Sequence, residues 1–116
     1  MLNSNLSVSH INPEQLTQDY YNVSSIVCRV RAGWCFVSMD VTVLKVYTTH
    51  PGIDLLTGLP NPSFNIASQP FVEWSSTTNN LPLRTYIRTK DGIGVVSFRK
   101  GTIGKTYPLF FSYPIA

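Results

Sequence analysis

The chain has little charge. Asp, Glu, Lys and Arg make up 13% of its 116 residues, against 43% apolar residues. That balance excludes an intrinsically disordered chain, which combines low hydrophobicity with high net charge. The net charge is +3, and the basic residues are scattered with no run beyond two. A nucleic-acid binder concentrates its charge in a denser patch, so no nucleic-acid partner is expected. No apolar stretch approaches the ~20 residues of a membrane-spanning helix, and no apolar segment follows Met1. The expectation is synthesis in a cytoplasm without a signal peptide, and no membrane insertion.

Cysteine is scarce too: Cys28 and Cys35, with no C-x-x-C and no paired histidines. Zinc chemistry lacks its ligands, and no metal or cofactor is expected. The chain has no G-x-S-x-G elbow, and "GTIGK" has the letters of a phosphate loop without its spacing.

What the sequence does contain is alternation. "SSIVCRVRAGWCFVSMDVTVLKV" has period two and reads as a β-hairpin turning at Ala32-Gly33. In that register Val30 faces Cys35, Cys28 faces Val37, and Ile26 faces Met39, with Val41 and Val43 continuing the apolar face. Arg29, Arg31, Trp34, Phe36, Ser38, Asp40 and Thr42 take the other face. The cysteines share a face but sit diagonally, so a disulfide requires a longer turn than two residues; the alternative is two buried thiols acting as small hydrophobes. Further strands are expected around Leu55, in "SFNIASQPFVEW", "LPLRTYIRT", "IGVVSFR" and "TYPLFFSYPI". In "LLTGLPNP", Gly58 permits a sharp turn, and Pro60 and Pro62 remove two N–H donors. The segment is expected to be a corner that ends a strand and carries the chain to the other sheet.

About seven short strands at this spacing predict an all-β fold, an antiparallel β-sandwich or jelly-roll-like domain over residues 23–116. Residues 1–22 read as a polar lead-in or linker. "NPEQLTQDYY" suits one short helix, with Asn12 as N-cap and Pro13 at the first turn.

The order of "VRAGWCFVSMDVTV", "LLTGLPNP", "KDGIGVVS" and "GKTYPLFFSYPI" resembles the C-terminal head (receptor-binding) domains of tail fibre and baseplate proteins of phages and prophages of Gram-positive bacteria. The resemblance covers about Ser25 to Ala116. It implies a trimeric head at a virion tail tip, made in the bacterial cytoplasm, that binds a host cell-surface saccharide and other tail proteins. Two alternatives stand beside it: a purely structural tail or baseplate component, and a monomeric carbohydrate-binding module.

Sugar sites use aromatic faces and side chains that fork hydrogen bonds to hydroxyls. "RTYIR" places Arg84, Tyr86 and Arg88 on one strand face, with Trp74 ending the preceding strand and Trp34 on an outer face. These five are the expected ligand-binding residues, and the same face would also suit a subunit interface. The last strand sets Tyr107, Leu109, Phe111 and Tyr113 on one face and Phe110 on the other. Two apolar faces suggest burial on both sides, so these five are the expected oligomer interface. Asp40 and Glu73 read as the only strand-borne acids, hence the only candidate pair for glycoside hydrolysis. They read better as solvated side chains, and no enzyme is expected.

Overall fold

The computed structural model describes residues 8–16, 19–64, 72–74 and 82–116. Nine strands form among them: β1 (Ser9–Ile11), β2 (Glu14–Gln15), β3 (Tyr21–Arg31), β4 (Trp34–Val43), β5 (Ile53–Leu59), β6 (Val72–Trp74), β7 (Leu83–Lys90), β8 (Ile93–Lys100) and β9 (Thr106–Pro114). They make a four-stranded sheet, β1-β3-β4-β9, and a five-stranded sheet, β2-β5-β8-β7-β6. Every pairing is antiparallel. The two inner faces share one core: Val37, Val41, Leu109 and Phe111 from the first sheet meet Leu55, Ile87, Val96 and Phe98 from the second. The chain is an all-β sandwich, as its alternation predicts. The two strands beyond the expected seven are β1 and β2. Part of "SFNIASQPFVEW" and the whole of "STTNN" lie outside the described residues.

The hairpin has the expected register near its turn. Val30 pairs with Cys35 and Cys28 with Val37. Ala32 and Gly33 both have positive φ, 53° and 80°, as do Asp91 and Gly92 between β7 and β8. Two positive φ values match the right-handed strand twist of a tight hairpin, which explains the Ala-Gly and Asp-Gly pairs. Farther along, the register breaks. Ser24 pairs with Asp40 and Val27 with Ser38, so Ser25 and Ile26 together oppose Met39. Ser25 takes φ 54° to make this bulge.

The helix expected over residues 12–21 is not formed. Ile11 pairs with Cys28 and Gln15 with Leu56, so β1 edges one sheet and β2 the other, with Asn12-Pro13 between them. Nucleating so short a helix fixes three residues for one hydrogen bond, whereas two open sheet edges offer ready backbone partners. Residues 9–15 are therefore part of the sandwich and not of a lead-in running to residue 22. Tyr21 starts β3 inside the core, and its hydroxyl donates to the Lys100 carbonyl at 2.8 Å. Burial pushes its pKa up to about 12.

The corner works as its composition suggests, with a longer strand before it. β5 runs through Leu59, with register breaks on both sides of Leu56 and Gly58 at φ 82°. Beyond it Pro62 bridges to Ile115, so the chain passes from the second sheet to the end of the first. Tyr113 latches this crossing, its hydroxyl donating to the Pro60 carbonyl at 2.9 Å. Gly94 lies beneath: a Cβ there would sit 2.5 Å from the Pro60 oxygen and 3.1 Å from the Leu59 Cβ.

Candidate binding surface

The expected sites separate. Trp34 lies on β4 of the first sheet, whereas Arg84, Tyr86 and Arg88 lie on β7 of the second. They do not form one site. Trp74 ends β6 beside Leu83, and its side chain lies outside the described residues.

Tyr86 is a correction, because its side chain is 0% exposed. Arg99 donates from Nε to the Tyr86 hydroxyl at 2.9 Å, with its guanidinium 5.5 Å from the ring centroid. His50 closes the edge at 5.2 Å and 87°. Arg88 donates from Nη2 to both Asp54 carboxylate oxygens at 2.7 Å. Alternation assigns "RTYIR" to the outer face correctly. It does not reveal that His50 and Arg99 pack on Tyr86 and that Asp54 binds Arg88 on that face. Asp54 on β5 and Glu14 on β2 are also strand-borne acids, contrary to expectation. Asp40 lies on the four-stranded sheet and Glu73 on the five-stranded one, and the Glu73 side chain lies outside the described residues.

The expected interface on the last strand is corrected as well. Tyr107, Leu109, Phe111 and Tyr113 are buried in the chain's own core. The other face of β9 carries Thr106, Pro108, Phe110 and Ser112, of which Phe110 stands out at 68% exposed. The strand is apolar on one side because the second sheet covers it. The reverse side has one aromatic residue, not an apolar face.

Phe110 is nevertheless the centre of an accessible apolar surface. Cross-strand rows on the outer face of the first sheet are Arg31–Trp34–Pro114, Arg29–Phe36–Ser112 and Val27–Ser38–Phe110. Val27, Trp34 and Phe36 are all exposed, Trp34 at 44%. Three shallow depressions adjoin Phe110. One of about 320 Å³ is lined by Val8, Arg29, Arg31 and Phe36, and one of about 290 Å³ by Val27, Arg29, Phe36 and Ser38. A third of about 320 Å³ holds Ser25, Ser38, Asp40 and Pro108. Ser25 stands at the bulge, on the same strand parity as Val27 and Arg29, and lines this third depression.

The face is polarised. Arg29 and Arg31 lie at one end, with His10 opposite Arg29 on β1, and Asp40 lies at the other. Rigid aromatic side chains interleaved with guanidinium donors, hydroxyls and one carboxylate can hold a ligand that has apolar faces and polar edges. Sequence alternation placed all of Arg29, Arg31, Trp34, Phe36, Ser38 and Asp40 on this face. It gave no reason to single out Arg29, Ser38 or Ser25, although Ser25 shares the outward parity of Val27 and Arg29. The available signal was two aromatic residues on a hairpin face otherwise polar.

Among the described residues no three His, Cys, Asp or Glu side chains converge as a metal site. No protein-family model, curated protein or solved structure matches the chain.

Proposed function

We propose that this chain is a non-enzymatic receptor-binding head of a phage or prophage tail, attaching to a host cell-surface saccharide through the outer face of its four-stranded sheet. The observation that carries the reading is the set of depressions meeting at Phe110, each lined by an aromatic ring and by at least one group able to donate to or accept from a hydroxyl. A pyranose presents C–H groups on its flat faces and hydroxyls on its rim. Trp34, Phe36 and Phe110 supply the surfaces for the first, and Arg29, Ser38, Ser25 and Asp40 the partners for the second. The order of motifs along the sequence supports the tail-head part of the reading.

Open grooves of this depth bind single sugars weakly. Several heads on one particle convert weak sites into firm attachment, because each bound head raises the effective concentration of the next. A trimer at the tail tip belongs to this proposal and rests on the sequence resemblance, since four of the five expected interface residues line the core.

The test is sedimentation of the purified chain with cell walls from a panel of Gram-positive bacteria, beside Phe110→Ala and Trp34→Ala variants. The expected result is retention on some walls, competed by their released saccharide, and weakened about tenfold by loss of an aromatic contact worth ~1.4 kcal/mol. Both variants should keep the parent's thermal midpoint, because these side chains are exposed. No retention on any wall, or retention unaffected by both substitutions, would overturn the assignment and favour a structural tail component.

A further inference from the structure

Neither the binding surface nor the sheet geometry uses the two thiols, yet they are placed together. Cys28 and Cys35 are both free and buried, with Sγ atoms 3.4 Å apart. They lie on adjacent strands but not opposite one another, since Cys28 faces Val37 and Cys35 faces Val30. Diagonal neighbours of an antiparallel pair stand ~7–8 Å apart at the backbone, so contact between the sulfurs means that both side chains lean inward along the diagonal. On the far side of β4, Tyr113 pairs directly with Cys35.

We propose that Cys28 and Cys35 are a reversible redox site that closes to an intrachain disulfide across β3 and β4 when the protein leaves reducing surroundings. Bond formation needs the sulfurs to approach from 3.4 Å to the ~2.05 Å of a disulfide. Rotation about two side chains supplies part of that movement, and the hairpin the rest.

A peroxide is the oxidant, and the step balances. The Cys35 thiolate attacks one peroxide oxygen, the O–O bond breaks, and Cys35 becomes a sulfenic acid. The Cys28 sulfur then attacks the Cys35 sulfur and displaces the hydroxyl as water. In all, two S–H bonds are lost, one S–S bond forms, and the peroxide leaves as two waters. The hydrogen bond from Cys28 favours the Cys35 thiolate and brings its pKa down to about 7 against the opposing effect of burial. The same hydrogen bond, aided by burial, holds the Cys28 proton well above the ordinary thiol range. Cys35 is thus the attacking sulfur and Cys28 the resolving one. Cys35 is two residues beyond Gly33, so opening at the turn end of the hairpin exposes it. A diagonal disulfide carries strain, and strained disulfides are the easily reduced ones. The expected bond is therefore labile.

The inference stands apart from the saccharide reading, because its readout needs no ligand. The folded full chain is treated with hydrogen peroxide without denaturant, then unfolded and assayed for free thiols and intact mass. The expected result is loss of both thiols, a monomer lighter by two hydrogens, one peptide linking Cys28 to Cys35, and return of both thiols on adding dithiothreitol to the folded protein. Cys28→Ser should stop at the sulfenic acid or its adducts on Cys35. Peptide mapping of the unsubstituted chain decides the matter if that variant does not fold. Two thiols persisting after exhaustive treatment, disulfides only between chains, or sulfinic acid at Cys35 without linkage would overturn the proposal.

Discussion

Replacing Tyr21 by phenylalanine separates a buried hydroxyl from the ring that carries it. The ring fills the core against Phe98, 5.7 Å between centroids, and phenylalanine keeps that contact. The hydroxyl donates to the Lys100 carbonyl at 2.8 Å and accepts from the Tyr47 amide at 3.4 Å. Its loss at neutral pH costs about 1 kcal/mol, the net worth of a typical hydrogen bond. The sharper effect is alkaline. Tyr21 has a pKa of about 12 in the folded chain against 10.0 ordinarily, because burial disfavours the phenolate. Between those values the unfolded chain releases the proton and the folded chain keeps it. The unfolded state then binds fewer protons, so stability falls as pH rises. At pH 11 the loss from this residue is about 1.4 kcal/mol, and below pH 9 it is close to zero. Urea unfolding of parent and Tyr21→Phe at pH 9 and pH 11 reads this directly. The parent should lose ~1.3 kcal/mol more than the variant between the two pH values, with other tyrosines cancelling in the difference. Equal losses in the two proteins would refute the claim that Tyr21 is held protonated by burial.

Gly94→Ala should destabilise by about 1–3 kcal/mol, because the new Cβ would meet the Pro60 carbonyl oxygen at 2.5 Å where the corner crosses β8. Thermal unfolding checks it, and an unchanged midpoint would mean that the corner does not press on that strand. Asp54→Asn should cost about 1–3 kcal/mol, since Arg88 loses both charge-assisted contacts while 73% of its side chain stays covered, its relative exposure being 27%. Its effect should persist in high salt, which a denaturation series would show.

The sandwich was legible because its evidence is local. Alternation around Cys28, Val37 and Val41 assigns faces, and Ala-Gly and Asp-Gly mark the tight turns. The corner was legible because proline and glycine act through their own backbone. Pairing partners beyond a hairpin were not legible. Residues 9–15 have a polar composition that suits a helix start, and only the open edges of two sheets turn them into strands. The face of Tyr86 was read correctly and its role missed, because what covers it, His50 and Arg99, comes from other parts of the chain. The last strand misled for the same reason: Tyr107, Leu109, Phe111 and Tyr113 look like surplus apolar surface until the second sheet is placed over them. Nothing in "VSSIV" marks the register break, which turns Tyr21 and Val23 into the core although strict alternation from Cys28 sets them on the outer face.

The most direct measurement is amide chemical-shift mapping of the labelled chain with a cell-wall saccharide fragment to which it binds. The expected result is shifts clustered at Val27, Arg29, Phe36, Ser38 and Phe110, with the Arg84–Arg88 strand unmoved. Shifts centred on that strand, or a bound saccharide that leaves the Phe110 neighbourhood unperturbed, would contradict it.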